Sequence, residues 1–395
     1  MVTVRILILT NYFYPDFGAG AFRMMALVEA INSNLPDDLT VDIFTTQPNR
    51  YGSLKVPSSV FDDYNWLTVQ RIKVAEHKGT MASQAICYSK FFLKTYLETR
   101  NKKYDLIFAT SSRLFTGLLG ALIAKSNRAK LYLDIRDLFV DTLGDLFAGS
   151  QYLKILPFLK LVEMHTLKSA DRINIVSAGF EKYICERVPA VRVDVITNGI
   201  DEEFIVDSKS LECSKNEGLN ILYAGNLGSG QSIETIVPLV AQKVGPDVKF
   251  KLFGAGARVE YLKQTLLVSN SKNVTLYPPI SRQLLKKEYA NADALFLHLN
   301  DIKAFEKVLP SKIFEYAASG KPIIAGVSGH AANFLASEIE GVHLFQPGDV
   351  DQLLAIIRQL KNYPSHYDRS GFIAKFKRKT LMTELWKIVL SELET

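Results

Sequence analysis

The sequence has few cysteines and no hydrophobic run long enough to span a membrane. Its 395 residues include three cysteines, Cys87, Cys185 and Cys213, which lie far apart and have no Cys-x-x-Cys spacing. This argues against a disulfide framework or a zinc site and fits a reducing compartment. The longest apolar run, Leu114 to Ala124, is well short of the ~20 residues that a transmembrane helix needs. The N-terminus enters a strand pattern instead of a signal peptide, so we expect a cytoplasmic protein.

Signals for several enzyme classes are also missing. The six histidines have neither His-x-x-x-His nor His-Glu-x-x-His spacing, which argues against zinc catalysis. No Gly-x-Ser-x-Gly elbow marks a serine hydrolase. Asp349 and Asp351 resemble a metal-binding acid pair, but we interpret them as the cap and first turn of a helix. The sequence therefore predicts no metal site.

The positive charge is modest and lies mainly in the first half of the chain. Of the net charge of +6, residues 1–200 carry +5 and residues 201–395 carry +1. This distribution suits an anionic partner, such as a phospholipid surface or a phosphorylated ligand. We expect no nucleic-acid partner.

Strand-like apolar runs alternate with amphipathic helical segments through both halves of the chain, which predicts an α/β fold with two doubly wound parallel sheets. The chain is also long enough for two domains. The predicted strands are VRILILT, VDIFTT, TVQRIKV, DLIFAT, KLYLDI, RINIVS and VDVIT, then LNILYAG, KFKLFG, NVTLYP, ALFLHL, PIIAGV and GVHLFQP. We place the first domain at residues 1–203 and the second at 204–371. Residues 372–395 are predicted to form one amphipathic helix.

Glycine-rich loops follow three of the predicted strands, where ligands bind in such sheets. They are NYFYPDFGAGAFR with Gly18 and Gly20, AGNLGSGQS after the first strand of the second half, and GAGAR with Gly254 and Arg258. Glycine lets a backbone approach phosphate oxygens, but a tight strand-to-helix turn explains each loop equally well. None completes the Gly-x-Gly-x-x-Gly or Walker pattern, so a dehydrogenase or a P-loop enzyme is disfavoured.

Two charged groups stand out against this background. The end of one buried strand carries three charged residues, Asp134, Arg136 and Asp137. They could form a structural ion pair, or they could belong to an active site. Lys312 lies in the first turn of a predicted helix capped by Ser311, where the helix dipole disfavours a cation. Glu315 follows one turn later, and both side chains could simply face solvent.

Taken together, FGAGAFR, DIRDLF, KSADRINIVSAG, VITNGIDEEF, ILYAGNLG, LFGAGAR and LPSKIFEYAASGKPIIA resemble the retaining, family-4 type glycosyltransferases. Within that family, the chain resembles bacterial enzymes that build O-antigen, capsule or exopolysaccharide on a lipid-diphosphate carrier. The resemblance covers nearly the whole chain. It implies the GT-B architecture, with two facing Rossmann-like domains and a C-terminal helix that crosses back to the N-terminal domain. The N-terminal domain would bind the acceptor and the C-terminal domain the nucleotide sugar.

The resemblance also implies roles for individual residues. Glu315 matches the second acid of the family's Glu-x7-Glu motif and would hold the donor's ribose, while Lys312 would face its diphosphate. The implied catalytic residues are Arg136, Asp137, Arg258 and Lys312. The implied donor-binding residues are Gly18, Gly20, Asn226, Gly254, Arg258, Ile280, Asp301, Lys312, Ile313 and Glu315.

The chain departs from the family pattern at three places. The first acid of Glu-x7-Glu is replaced by Lys307, so Asp301 or Glu306 would have to recognise the sugar. Asn226 and a Gly/Ser/Gln run replace the Arg and Lys that usually grip the phosphates, so we assign that role to Arg258 and Lys312. Arg136 stands where many relatives carry a histidine.

We therefore expect a retaining transfer of a sugar from a nucleotide donor, most often UDP, to a lipid-linked saccharide. The family pattern requires neither a metal nor another cofactor. The basic, aromatic-rich segments 88–103 and 152–161 could rest peripherally on the cytoplasmic face of a membrane, or they could be ordinary solvated helices. A nucleotide-sugar 2-epimerase and a non-catalytic scaffold remain the alternatives.

Overall fold

A parallel sheet forms the first half of the protein. The computed structural model describes residues 4–16, 18–48, 58–74, 81–111, 113–146, 154–205 and 218–394. The strands of the first sheet are β1 (Val4–Leu9), β2 (Leu39–Thr46), β3 (Phe61–Asp63), β4 (Leu67–Ile72), β5 (Leu106–Thr110), β6 (Lys130–Ile135), β7 (Arg172–Ile175) and β8 (Arg192–Val195). Their order is β3-β4-β2-β1-β5-β6-β7-β8, and every described pairing is parallel except β3 with β4.

Helices cover both faces of this sheet. Each of its central strands is therefore buried on both sides. They are α1 (Ala19–Ser33), α2 (Met81–Thr99), α3 (Leu114–Asn127), α4 (Phe139–Leu146), α5 (Leu156–Lys168), α6 (Glu181–Arg187) and, from the end of the chain, α14 (Arg378–Ser391). In one core cluster, Leu385 and Trp386 of α14 pack with Met24 and Leu27 of α1. The last helix thus belongs to the compact unit that is built around the first sheet.

The second half builds another parallel sheet in the order β11-β10-β9-β12-β13-β14. Its strands are β9 (Leu219–Asn226), β10 (Val248–Ala255), β11 (Val274–Tyr277), β12 (Ala294–His298), β13 (Ile323–Gly326) and β14 (Val342–Phe345). Its helices are α7 (Ile233–Lys243), α8 (Val259–Val268), α9 (Arg282–Asn291), α10 (Lys312–Ala318), α11 (Gly329–Glu338), α12 (Val350–Gln359) and α13 (Ser370–Lys375). The two predicted doubly wound sheets are confirmed.

The chain order reverses once in each sheet, and these reversals locate the ligand crevices. In the first sheet, β1 lies between β2 and β5; in the second, β9 lies between β10 and β12. In doubly wound folds, ligands bind beyond the carboxyl ends of the strands at this point. We therefore expect the ligand-binding residues in the loops after β1, β5, β9 and β12.

A buried ion pair fixes the carboxyl edge of the first sheet. Arg23 of α1 and Asp134 of β6 are both fully enclosed, with Nη2 and Oδ1 2.9 Å apart. Arg23 also donates to the carbonyls of Ile196 and Thr197, and Asn174 donates to Asp134. Removing one partner of such a pair typically costs about 3–5 kcal/mol, because the other charge stays buried. Arg23 is thus the structural ion-pair partner of Asp134. The sequence had suggested Arg136 for that role.

Four details differ from the sequence predictions. The short antiparallel strand β3 was not predicted. The C-terminal segment is two helices, because Lys377 pairs with Ile200 in an extended bridge between α13 and α14. The compact units comprise residues 1–198 with 378–395, and residues 199–377, so these divisions differ from those placed at 203 and 371. Ser311 makes no side-chain capping bond, whereas Asp349 accepts from Gln352 N as expected.

None of the helices in the described ranges is long and apolar enough to cross a bilayer.

Candidate functional site

Glycines at the end of β9 and β10 allow two backbones to meet closely. In the register, Gly225 lies opposite Gly254. A Cβ added to Gly254 would lie 2.0 Å from the carbonyl oxygen of Gly225, and one on Gly256 would lie 2.3 Å from that of Leu227. Backbone packing therefore suffices to require glycine at positions 254 and 256, which supports the structural alternative for this loop.

Lys312 and Glu315 form an ion pair beside this crevice. Lys312 Nζ lies 3.0 Å from Glu315 Oε2, and their side chains are 28% and 13% exposed. The methylene Cε of Lys312 lies 3.7 Å from the Cβ position of Gly225. The pair explains how a cation is tolerated in the first turn of α10, and it places both charges at the predicted ligand edge of the sheet.

Glu315 is held through only one of its two oxygens. Tyr289 Oη donates to the same Oε2 at 3.3 Å, while Oε1 has no hydrogen bond to any described residue. Burial, the largest effect, and the charge of Glu315 raise the pKa of Tyr289 well above its usual value, so the phenol remains a donor. The carboxylate of Glu315 is therefore oriented through Oε2, and Oε1 is left to accept a hydrogen bond.

Aromatic packing makes this support rigid. The rings of Tyr289 and Tyr316 meet edge to face at 5.4 Å, and Phe204 packs 5.9 Å from Tyr289. Tyr316 Oη accepts the amide proton of Ala224 in β9. The tyrosines thus connect α9, α10 and β9, and the sequence patterns gave no signal for them beyond hydrophobicity.

A buried arginine closes the other end of α10. Arg369 donates to the carbonyl oxygens of Tyr316, Ala317 and Glu340, at distances of 2.6 to 3.5 Å. A cation at a helix C-terminus is favourable, although burial lowers the pKa of Arg369 to about 10. This contact fixes the helix that carries Lys312 and Glu315.

Arg258 has a carboxylate partner of its own. Its Nε lies 2.9 Å from Glu234 Oε1, with the arginine side chain 46% exposed and the glutamate 2% exposed. Its guanidinium also lies 5.2 Å from the ring centre of Tyr261. The predicted phosphate-binding cation is therefore oriented by a buried acid, Glu234, which no sequence pattern indicated.

His298 joins two loops at the carboxyl end of β12. Its Nε2 accepts the amide proton of Gly348 at 3.1 Å, so the proton of the neutral ring lies on Nδ1 and is donated to the Gln231 carbonyl at 2.7 Å. Burial lowers the pKa of His298. The histidine holds the Gly/Ser/Gln run in place. Its position at the end of a predicted strand is the sequence feature that could have indicated this role.

The remaining predicted residues of the second unit differ in their surroundings. Asn226 is exposed and donates to Gln231 Oε1, and Asp301 is exposed in the loop after β12. Ile280 is half-buried before α9. Ile313 is fully buried and its amide donates to the Pro310 carbonyl. Neither its side chain nor its amide is free in this structure, and the assignment of Ile313 to donor contact stays a prediction.

The other predicted residues lie in the first unit. Arg136 follows β6, and its Nη1 lies 2.8 Å from the Cβ position of Gly20, so a larger residue there would displace it. Its only hydrogen bond among the described residues is a long one, 3.4 Å, to Asn198. Burial lowers the pKa of Arg136 to about 10. Gly18 precedes α1, and Asp137 is exposed.

Within the described ranges, no group of three or more His, Cys, Asp and Glu side chains is arranged to hold a metal ion.

Two comparisons with known proteins find glycosyl transferases. Residues 211–375 match the family described as glycosyl transferases group 1. The putative colanic acid biosynthesis glycosyl transferase WcaI of Escherichia coli (strain K12) is 25% identical over 304 residues, which cover 73% of this chain and 72% of that protein.

Solved structures show the same architecture. Sucrose-phosphate synthase from Thermosynechococcus elongatus has a TM-score of 0.80 at 17% identity, with 99% of both chains covered. Anabaena HepE in complex with UDP and glucose has a TM-score of 0.69 at 15% identity, covering 98% of this chain and 100% of its own. The lipopolysaccharide outer core galactosyltransferase WaaB has a TM-score of 0.62 at 13% identity, with 98% and 99% covered.

Proposed function

We propose that the protein is a glycosyltransferase that transfers a sugar from UDP-sugar to a lipid-linked saccharide. The match of residues 211–375 to the glycosyl transferases group 1 family, within a GT-B fold, supports this proposal. The observation that carries the donor assignment is the Lys312–Glu315 pair. It lies at the switch point of the second sheet, and it offers a fixed carboxylate beside a cation.

Glu315 would bind the ribose of the donor. Its Oε2 is held by Lys312 and Tyr289, which leaves Oε1 to accept a sugar hydroxyl. A hydrogen bond to a charged acceptor contributes about 1.5–3 kcal/mol. UDP is the proposed nucleotide because the structures of HepE with UDP-glucose and of a trehalose-6-phosphate enzyme with UDP-2-fluoro glucose share this fold.

Lys312 and Arg258 would stabilise the departing diphosphate. Both are partly exposed, and each is already oriented by a carboxylate, Glu315 or Glu234. Because α10 has only seven residues, we assign the charge stabilisation to the lysine itself and not to the helix dipole. A preorganised donor of this kind contributes roughly 3–4 kcal/mol to catalysis. We further propose that the transfer is retaining and needs no metal; the motif resemblance is the ground for both statements.

A membrane-tethered acceptor fits the surface of the first unit. On α5, Phe158 and Leu161 are 60% and 71% exposed beside Lys160, and on α2 Leu93 and Leu97 are exposed beside lysines. Exposed apolar side chains with basic neighbours suit an anionic membrane surface. We therefore propose peripheral binding at the cytoplasmic membrane face, in polysaccharide synthesis as the name of WcaI suggests.

Calorimetric titration with UDP and GDP in EDTA tests the donor site. We expect one nucleotide, UDP, to bind, and we expect Glu315→Gln and Lys312→Met each to weaken that binding at least tenfold, or about 1.4 kcal/mol. Glu260→Gln and Lys263→Met are matched controls, since Glu260 and Lys263 form an exposed pair of the same spacing on α8, 2.7 Å apart. The controls should bind UDP like the wild type.

Two outcomes would contradict the assignment. If neither nucleotide binds the wild type, the non-catalytic scaffold becomes the better explanation. If the α10 and α8 variants behave alike, the Lys312–Glu315 pair is not the donor site.

A further inference from the structure

A cluster of two tyrosines and an arginine occupies the switch point of the first sheet. Tyr12 follows β1 and Arg113 follows β5, the two strands between which the chain order reverses, and Tyr88 projects from α2. Tyr12 Oη and Tyr88 Oη are 3.1 Å apart, and the Arg113 guanidinium lies 4.8 Å from the centre of the Tyr88 ring. The cluster thus lies at the place where a doubly wound sheet receives its ligand.

Arg113 lacks the counter-charge that other arginines of this unit have. Arg23, Arg71 and Arg172 each form an ion pair with an aspartate at 2.6 to 2.9 Å. Arg113 is half-buried, yet it forms no ion pair with any described carboxylate. Holding an uncompensated guanidinium away from water is unfavourable. An arriving anion would remove that cost.

The start of α3 adds to the positive potential. Arg113 is the N-cap residue of this 14-residue helix, with no side-chain capping bond and no acid in the first turn. The first amides of a helix have no intrahelical acceptor, and the helix dipole disfavours a cation there. The fully buried Asn11 donates to Thr116 Oγ1 at 2.6 Å, while its Oδ1 has no partner among the described residues. This bond fixes the first turn of α3 against the loop after β1.

We propose that Arg113, Tyr12 and Tyr88, with the N-terminus of α3, bind a phosphate group of the acceptor. A guanidinium, phenolic hydroxyls and helix amides are all donors, and together they match a group with several anionic oxygens. The phosphate is assigned to a lipid-linked diphosphate, a choice that rests on the proposed function. The same chemistry would accept free pyrophosphate.

Burial raises the pKa of Tyr88. Its hydroxyl therefore stays protonated at neutral pH and can donate to an anion.

Binding of farnesyl diphosphate and of inorganic pyrophosphate, measured by calorimetry in EDTA, tests the site. We expect Arg113→Gln to weaken farnesyl diphosphate binding at least tenfold and Tyr88→Phe to weaken it about two- to fivefold. Arg100→Gln is the control, because Arg100 is exposed in the same unit. UDP affinity should change less than twofold in all three variants. The fluorescence of Trp66 and Trp386, both in this unit, reports whether each variant is folded.

The outcomes separate the site from the proposed function. If the wild type binds both probes and Arg113→Gln binds neither, the site recognises the phosphate itself. If the wild type binds farnesyl diphosphate but not pyrophosphate, and Arg113→Gln loses that binding, the site is specific for the lipid-linked form. Failure of the wild type to bind either probe, or unchanged binding by folded Arg113→Gln, overturns the proposal. An equal loss of UDP binding overturns it too, because the arginine would then serve the donor. If the wild type binds the phosphate probes but not UDP, the proposed donor fails and the phosphate site stands.

Discussion

Arg258 has an ion-pair partner in the fold and a proposed role at the ligand, and a double substitution distinguishes the two. Glu234 is a carboxylate with 2% of its side chain exposed, and Arg258 Nε is 2.9 Å from it. Breaking a fully buried ion pair typically costs about 3–5 kcal/mol. Since the arginine here is about half exposed, we expect Arg258→Gln to lower the free energy of unfolding of the second unit by a smaller amount, about 1–3 kcal/mol.

Adding Glu234→Gln should restore that stability to within about 1 kcal/mol, because no buried charge is then left unpaired. UDP binding should not recover. We expect the single Arg258→Gln variant and the double variant to bind UDP at least tenfold more weakly, since the cation that we propose for the diphosphate is missing from both.

The assay must separate the two units. Both tryptophans, Trp66 and Trp386, belong to the first unit. Their fluorescence should therefore report a urea transition that these substitutions leave unchanged, while far-UV circular dichroism also follows the second unit. If the double variant regained UDP binding, Arg258 would act only by neutralising Glu234, and its role at the diphosphate would be refuted. If Arg258→Gln cost no stability, the ion pair would be energetically inert.

Two further predictions concern pH and the membrane. Because the folded-state pKa of His298 is lowered, the unfolded chain binds its proton more readily, and the associated stability is lost as pH falls through about 6.5. His298→Gln should reduce the fall in melting temperature between pH 8 and pH 5.5, measured by circular dichroism; equal falls would contradict this. On the membrane side, replacing Phe158 and Leu161 with serine should weaken cosedimentation with anionic vesicles at least tenfold, because each buried apolar side chain contributes about 1.5–3 kcal/mol. The matched pair Leu267 and Val268, which are 80% and 89% exposed on α8, should tolerate serine without that effect, and equal losses would point to nonspecific adhesion.

The sequence predicted the sheets well because buried parallel strands produce continuous apolar runs. All thirteen predicted runs are strands, whereas β3, with three residues and exposed ends, has no such pattern. The C-terminal break was missed because the pairing of Lys377 with Ile200 is a long-range contact that local periodicity does not encode.

The site was predicted unevenly for a related reason. Lys312 and Glu315 are three residues apart on one helix, so their pairing follows from local spacing. The partners of Arg23 and Arg258, namely Asp134 and Glu234, are distant in the chain, and only the fold brings them together. Ile313 was assigned to the ligand from a motif, and local sequence did not show that its side chain is buried or that its amide donates to the Pro310 carbonyl.

The close backbone approach at Gly254 and Gly256 has a practical meaning for anyone who wishes to change donor preference. A library that randomises this loop would consist mostly of misfolded members, since any side chain at these two positions meets a carbonyl at 2.0 to 2.3 Å. Diversity is better introduced at Asn226 and Asp301, which are exposed at the carboxyl ends of β9 and β12. The glycines keep two backbones close together, and the neighbouring polar positions are where the proposed donor site can be varied.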